Sequence, residues 1–224
     1  MAARVDERKR AVGFAAVDRY VRDRTCIGLG TGSTAYWAIE RVGERVAAGE
    51  RIVAVATSRE TERLCRERSI PLVELMDEEI AVALDGADEV AADLALIKGG
   101  GGALFREKAV ALAARLFVVI VTEEKLVQRV GNYPLPVEVV PFSATYVTRE
   151  IEAIAPVSVS RRGGATPFVT DNANWILDCR FGPIDDPAHL DELLRAIHGV
   201  VTSGLFVDLA DEVLVAGPNG VRSL

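Results

Sequence analysis

The sequence predicts an α/β protein: a doubly wound, mostly parallel sheet, joined to a second, smaller α+β domain of split βαβ, ferredoxin-like type. Three observations carry this expectation. Short apolar strands alternate with amphipathic helices through the first part of the chain. The strand over residues 117–121 is apolar at every position, as expected where both faces of a parallel sheet are covered. Glycine-rich turns follow predicted strands at residues 28–34 and 98–102, and each runs into a predicted helix. A chain of 224 residues, 50% hydrophobic and 26% charged, is long enough to bury a substantial core. The expected organisation is an α/β domain over residues 1–130, a small α+β domain over 131–206 and a C-terminal segment, 207–224, that returns to the first domain.

Taken in order, residues 6–21 place Val12, Ala16 and Tyr20 at helical spacing, with Lys9 and Arg10 on the polar side. Residues 25–30 read as a short strand, and a helix follows over about 33–47. A strand over 51–57, a helix over 58–68 and a third strand over 70–75 come next, then a fourth strand over 80–84 that ends in the Asp85 turn. Residues 94–98 lead into the second glycine run, and a helix over 104–116 precedes the 117–121 strand. Pro134 and Pro136 punctuate the change of pattern. Beyond them the sequence predicts a strand over 137–140, a helix over 144–154, a strand over 157–160, hairpin-like strands near 168–170 and 175–179, a helix over 187–197 and a strand over 200–205. Residues 211–216 form a strand that rejoins the first sheet.

The net charge of −7 argues against broad binding to nucleic acid or to an anionic membrane. A phosphate-bearing ligand therefore needs a local positive pocket. Cys26, Cys65 and Cys179 are odd in number and far apart, with no zinc spacing, which fits unpaired thiols in a reducing cytoplasm. Residues 4–10 are charged, so no secretory signal is read there, and the apolar run over 109–121 is interrupted by Arg115 and too short to span a bilayer. Two histidines, His189 and His198, are too few for a histidine metal cage and are assigned to surface or packing.

Three segments carry chemistry. In Gly28-Leu29-Gly30-Thr31-Gly32-Ser33-Thr34, a strand enters a glycine turn and then a helix, so backbone N–H groups at the positive helix end can meet a phosphate. No lysine follows the glycines, so this is not a Walker loop, and Ser33 stands where a dinucleotide fingerprint needs its third glycine. A tight turn with a Ser/Thr cap is the plainer reading. In Asp85-Gly86-Ala87-Asp88-Glu89, carboxylates gather at the carboxyl end of a strand, where open α/β sheets take ligands and where neighbouring acids suit proton transfer among sugar hydroxyls. A surface turn with capping aspartates is the alternative. In Lys98-Gly99-Gly100-Gly101-Gly102, the glycines let backbone amides crowd a ligand and Lys98 can steady an oxyanion. Glu107, in the helix that follows, suits a general base, although an exposed helical glutamate would look the same. Lys9 and Lys125 are candidates for the phosphate or for simple solvation.

Together these motifs resemble the ribose-5-phosphate isomerase A family. Lys9-Arg10-Ala11-Val12-Gly13, Arg106-Glu107-Lys108, Pro134-Leu135-Pro136-Val137-Glu138-Val139, Thr170-Asp171-Asn172 and Gly204-Leu205-Phe206 extend the match along essentially the whole chain in order. The resemblance implies interconversion of D-ribose 5-phosphate and D-ribulose 5-phosphate through an enediolate, without a cofactor or a metal. It implies Glu107 as the base between C1 and C2, Asp85 in ring opening and hydroxyl proton transfer, Lys98 at the enediolate oxygen and Asp88 orienting hydroxyls. Thr31, Gly32, Ser33, Thr34, Lys9, Lys125, Gly99, Gly100 and Gly101 are implied to bind substrate or phosphate. A phosphorylated pentose is the implied partner, and a homodimer or homotetramer joined through the smaller domain the implied assembly, in the cytoplasm. Three places depart from the family: the segment over 56–61, Phe105, and Ala173, which replaces the glycine of an Asp-Asn-Gly-Asn pattern. A non-catalytic sugar-phosphate sensor on the same fold is the alternative, and a nicotinamide-dependent oxidoreductase is disfavoured by the broken fingerprint.

Overall fold

Residues 2–224 are described by the computed structural model, with side chains from Val5 onward. In chain order the elements are α1 (Ala2–Tyr20), β1 (Thr25–Leu29), α2 (Ala35–Ala47), β2 (Ile52–Ala56), α3 (Arg59–Glu67), β3 (Ile80–Asp85), β4 (Glu89–Val90), β5 (Leu96–Ile97) and α4 (Leu104–Ala113). There follow β6 (Phe117–Thr122), a 3-10 turn (Glu123–Lys125), β7 (Leu135–Val139), α5 (Ala144–Ile154), β8 (Ser158–Arg161), β9 (Trp175–Arg180), α6 (Pro187–Ala196), β10 (Val200–Ser203), β11 (Leu205–Phe206), β12 (Glu212–Gly217) and β13 (Gly220–Ser223). They belong to two units. One comprises the chain up to Ala87, Arg106–Lys125 and Leu209–Leu224, and the other Asp88–Phe105 and Leu126–Asp208.

The first unit is built on a six-stranded sheet of order β13-β12-β6-β3-β1-β2, parallel except for β13. All six residues of β6 are buried, which accounts for the absence of alternation in its sequence. Helix α2 turns Ala35, Ala38, Ile39 and Val42 inward at helical spacing. Ala38, Ile39 and Val42 join Val12, Ala16 and Val17 of α1, and Ile27 and Leu29 of β1, in one apolar core. Ser58 starts α3 by accepting the Thr61 N–H on its side chain. The returning strand expected near residue 211 is β12, paired in parallel with β6 from Glu212 opposite Val118 to Ala216 opposite Thr122.

The second unit contains an antiparallel sheet of order β10-β7-β9-β8, with α5 and α6 completing a βαββαβ sequence. Its core gathers Val137 and Val139 of β7, Val147 and Ile151 of α5, and Leu177 and Cys179 of β9. A three-stranded sheet, β11-β5-β4, belongs to the same unit. None of the described helices is long and apolar enough to cross a membrane.

Three expected strands differ. The 70–75 strand is reduced to two isolated bridges, Leu72 with Ala54 and Leu75 with Glu78. Pro71 lacks an N–H, so it contributes only its carbonyl to Ala54, and a turn at Glu74–Asp77 then consumes the following backbone groups. Residues 168–170 are not a strand: the Phe168 N–H turns back to Arg162 O and the Thr170 N–H to Asn174 O. The 200–205 strand breaks at Gly204, whose N–H goes to Pro136 O and whose carbonyl accepts the Lys98 N–H, so β10 and β11 enter different sheets.

Burial pushes the thiols up, to about 11 for Cys26 and about 12 for Cys65 and Cys179. A thiol reagent in mildly alkaline buffer is expected to label none of the three cysteines rapidly in the native protein and all three in denaturant. Fast native labelling of any one would show that its part of the core opens.

Ala173 sits at φ +63 and is exposed. That conformation costs an L-residue about 1–2 kcal/mol, against about 0.4–1 kcal/mol for the extra freedom a glycine has in the unfolded chain. Ala173→Gly is therefore expected to stabilise the protein by up to about 1 kcal/mol, a rise in Tm of about 2–4 °C. A Tm that stays level or falls in calorimetry would contradict it.

Candidate active site

In the first unit, β1 lies between β2 and β3. The chain leaves β1 toward β2 on one side and returns to β3 on the other, so connections diverge at the carboxyl ends of β1 and β3. That divergence opens the crevice in which doubly wound sheets take ligands. The Gly30–Thr34 turn follows β1, and Asp85 ends β3.

The two strand ends are held close. Gly30 N–H donates to Leu84 O at 2.9 Å. Asp85 Oδ1 accepts the N–H groups of Gly86 at 2.7 Å and Thr31 at 3.1 Å. A Cβ on Gly30 would lie 2.0 Å from Oδ1 of Asp85, so the carboxylate occupies the space a side chain at residue 30 would take. Asp85 is only 3% exposed. Thr31 points back into the protein, where its hydroxyl meets Thr57 Oγ1 and Ser58 Oγ at 2.8 Å each and Thr61 Oγ1 at 3.2 Å. Gly32 has φ +112 with open space around it. Ser33 Oγ accepts a hydrogen bond from Lys9 Nζ at 2.9 Å. Thr34 caps α2 without spending its side chain on a capping bond, which leaves a hydroxyl at the positive end of that helix.

Lys125 closes the 3-10 turn after β6, the strand on the far side of β3. Arg8 ties that turn to α1 through Glu123 at 3.3 Å and Glu124 at 2.8 Å. Lys9 and Lys125 therefore stand at the same edge of the sheet as Asp85.

Helix α4 brings Glu107 to this edge. A Cβ on Gly28 would lie 2.4 Å from Val110 Cγ1 and 2.9 Å from Ala83 Cβ, so Val110 packs directly on β1 and β3. The far end of the helix meets the start of β3, where Arg115 N–H donates to Ile80 O at 2.9 Å. The helix thus runs antiparallel to the strands, and Glu107, one turn before Val110 on the same face, lies toward the carboxyl edge. It is 4% exposed.

The second unit carries the other predicted residues. Lys98 leaves β5 with its N–H on Gly204 O at 2.9 Å; it is buried, with Nζ 5.4 Å from the Phe206 ring centroid. Asp88 N–H donates to Ile97 O at 2.8 Å, and Asp88 Oδ2 accepts the Gly100 N–H at 2.7 Å. Gly99, at φ +101, begins a turn in which Gly102 N–H donates to Gly99 O at 3.0 Å, and Gly101 is exposed at its tip. A Cβ on Gly100 would meet Asp88 Oδ1 at 2.6 Å and the Tyr133 hydroxyl at 2.7 Å. Burial, and then the charge of Asp88, raises the Tyr133 hydroxyl above its ordinary value.

Two residues here lie outside every motif. Tyr133 and Arg162 reach the glycine turn only through tertiary folding. Glu89 accepts the N–H groups of Gly131 at 2.6 Å and Tyr133 at 2.7 Å. Glu138 is fully buried and accepts from Thr170 Oγ1 and Asn174 Nδ2 at 2.9 Å each. Glu138 lies in one of the segments that carry the family resemblance, and an acid inside the apolar strand Leu135-Pro136-Val137-Glu138-Val139 marks it a second time. Among the described residues, no group of three His, Cys, Asp or Glu side chains is arranged to hold a metal ion.

A family model described as ribose 5-phosphate isomerase A (phosphoriboisomerase A) matches residues 53–220. A ribose-5-phosphate isomerase A of Shouchella clausii is 46% identical over 221 residues, 98% of this chain and 96% of that protein. The solved structure of ribose 5-phosphate isomerase A from Methanocaldococcus jannaschii is similar at a TM-score of 0.93 and 39% identity, over 98% of each chain. A D-ribose-5-phosphate isomerase solved in complex with phospho-erythronic acid reaches a TM-score of 0.94 at 40% identity, again over 98% of each chain.

The contact between Gly30 and Asp85 has a measurable consequence. Gly30→Ala forces the carboxylate aside and is expected to cost about 1–3 kcal/mol of stability, as overpacking does. The cost should shrink clearly when Asp85→Gly is already present, because the carboxyl group and the Cβ of residue 85, itself 2.6 Å from the added atom, are then gone. Equal losses of stability in both backgrounds, followed by denaturant unfolding, would show that the contact is not what excludes a side chain.

Proposed function

The chain belongs to the ribose 5-phosphate isomerase A family, and we propose that it interconverts D-ribose 5-phosphate and D-ribulose 5-phosphate in the non-oxidative pentose phosphate pathway. The observation that carries this reading is the pair of buried carboxylates, Asp85 and Glu107, at the carboxyl edge of the first unit's sheet beside a glycine turn. Carboxylates are rarely buried unless something is gained from them.

In the proposed reaction Asp85 takes and returns hydroxyl protons as the furanose opens to the free aldehyde. Glu107 removes the C2 proton. The electron pair moves to form a C1–C2 double bond, and negative charge develops on O1. The ammonium of Lys98 stabilises this enediolate, the kind of charge for which a positioned donor is worth about 10²–10³ in rate. Glu107 then delivers its proton to C1 while Asp85 passes the O2 hydroxyl proton to O1, which leaves the ketone at C2 and a hydroxyl on C1. Asp88 orients the sugar hydroxyls. Lys9, Lys125 and the turn Thr31, Gly32, Ser33 and Thr34 hold the phosphate, and the amides of Gly99, Gly100 and Gly101 line the reacting end. Binding energy from the phosphate, remote from C1 and C2, is then available to fix the sugar in a reactive geometry.

A phospho-sugar acid such as phospho-erythronic acid, found with one relative, fits the same chemistry, because its planar carboxylate resembles the charged enediolate. A sensor reading has no observation in its favour, since every side chain assigned to proton transfer is present. Under this proposal the protein works in the cytoplasm, supported by three free buried cysteines, and as a homodimer or homotetramer. Phe142, fully exposed on the second unit with Val140 and Tyr146 half-exposed nearby in sequence, supports the assembly.

Glu107→Gln preserves shape and removes the base. It is expected to lower kcat for ribose 5-phosphate by about 10³-fold or more, while the melting temperature and phospho-erythronic acid affinity stay near those of the wild type. Near-normal turnover by that variant would remove Glu107 from the mechanism.

A further inference from the structure

The glycine turn of the second unit is held from behind by an arginine that the proton-transfer scheme does not use. Arg162 follows β8, and its backbone is fixed by the bonds from its own N–H to Ile176 O at 2.8 Å and from Phe168 N–H to its carbonyl at 2.9 Å. One edge of the guanidinium is spent on Asp178 of β9: Nε donates to Oδ2 at 3.0 Å and Nη2 to Oδ1 at 2.5 Å. The remaining nitrogen, Nη1, donates to Gly99 O at 2.9 Å and to Gly100 O at 3.2 Å. Phe168, whose ring centroid is 6.0 Å from Arg162 Cζ, fills the space beside Gly102, where a Cβ would meet its ring at 2.5 Å.

The Gly99 carbonyl and the Gly100 N–H belong to the same peptide unit. A cation on that carbonyl polarises the peptide and makes its N–H a stronger donor. That N–H donates to Asp88 Oδ2 at 2.7 Å. Asp178, Arg162, the Gly99–Gly100 peptide and Asp88 therefore form one run of hydrogen bonds, with a charge at three of its members. Lysine cannot replace this arginine: a single ammonium lacks the planar fork needed to hold a carboxylate along one edge and two carbonyls from another nitrogen.

We propose that Arg162 is a positioning residue for the isomerisation, acting through the Gly99–Gly100 peptide to hold the Asp88 carboxylate in place. This rests on the isomerase reading and on the role given there to Asp88, and it assigns work to a side chain outside every motif that marks the family. A merely structural arginine would support the β8–β9 connection without regard to what residue 88 carries.

A double-mutant cycle separates the two. kcat and KM for ribose 5-phosphate are measured for the wild type, Asp88→Asn, Arg162→Met and the double variant, with melting temperatures alongside. Arg162→Met is expected to lower kcat/KM by about tenfold or more in the wild-type background and by less than about threefold when residue 88 is already asparagine. Arg162→Lys should recover little of the loss. Equal fold-losses in the two backgrounds, no loss at all, or full rescue by lysine would overturn the proposal. Should the methionine variant melt below the assay temperature, the lysine variant in the same cycle carries the comparison. A wild-type chain without turnover would defeat the isomerase reading and this inference with it. Wild-type turnover with additive losses would defeat the inference alone.

Discussion

The close approach of β1 to β3 at their carboxyl ends is the constraint on which the chemistry of the first unit depends. Gly28 pairs with Ala83 in register, and two residues further on, on the same face, Gly30 faces Asp85. Both positions must lack a side chain, for different partners. At Gly28 the missing Cβ lets Val110 settle on the strands, which fixes how deep α4 lies and so where Glu107 ends up. At Gly30 it makes room for the carboxylate itself. Glycine weakens a strand by about 0.5–1 kcal/mol relative to alanine. The fold tolerates that twice within β1 and its exit, where the neighbouring Ile27 and Leu29 are fully buried and offset the loss.

The second unit solves a different problem, the burial of several acids and bases in a small antiparallel domain. A buried charge without compensation is prohibitive, and the acids of this unit are given donors or a counter-charge. Glu89 takes two backbone N–H groups and Glu138 a hydroxyl and an amide. Asp178, half-buried, takes the fork of Arg162. Two of these arrangements meet the same stretch of chain: Glu138 fixes the turn at Thr170–Asn174, and Arg162 lies at the start of the segment that leads into it. A polar network of this kind is rigid because no member can move without leaving another unsatisfied. That rigidity suits a glycine turn, which has no side chains of its own to hold it.

What the sequence showed depended on the range of the interaction responsible. Elements set by local periodicity were legible: α5 has the bounds expected of it, the apolar run at 117–121 is the fully buried β6, and the strand and helix alternation of the smaller domain pointed to its split βαβ type, with one strand too many at 168–170. The 70–75 and 168–170 segments looked equally apolar, but the first touches β2 only around Leu72 before a turn begins at Glu74, and the second is consumed by turns, which apolar content does not report. Strands β4, β5 and β11 are two residues long, too short for any period; β4 pairs with β5 nearby in sequence, and β11 exists only because Leu205 and Phe206 pair with residues over a hundred positions earlier. The chemistry-bearing acids, lysines and glycines were visible because they interrupt apolar patterns. Arg162 was not, because an arginine beside glycines reads as an ordinary surface turn. The positive φ at Ala173 became suspect only through the resemblance, which puts a glycine there.

The acidic composition makes the treatment of the cations decisive for a phosphorylated substrate. Acids outnumber Lys and Arg by 33 to 26, so a dianionic ligand meets a repulsive mean field. Much of the arginine charge on the first unit is already matched: Arg19 with Glu212, Arg41 with Asp18 and Glu44, Arg45 with Glu50, Arg63 with Glu60 and Glu67. Such surface pairs add little to stability, but they cancel field. Arg8, next to Lys9, is cancelled in the same way by Glu123 and Glu124, the two residues before Lys125. Lys9 is treated differently, since its ammonium rests on the neutral hydroxyl of Ser33. A hydroxyl orients the ammonium without neutralising it, and the same hydroxyl can turn its own proton toward an anion. Positive potential is thus kept at the turn after β1 and removed from its surroundings, so the attraction of a phosphate is confined to the place where the helix end and the free hydroxyl of Thr34 can also bind it.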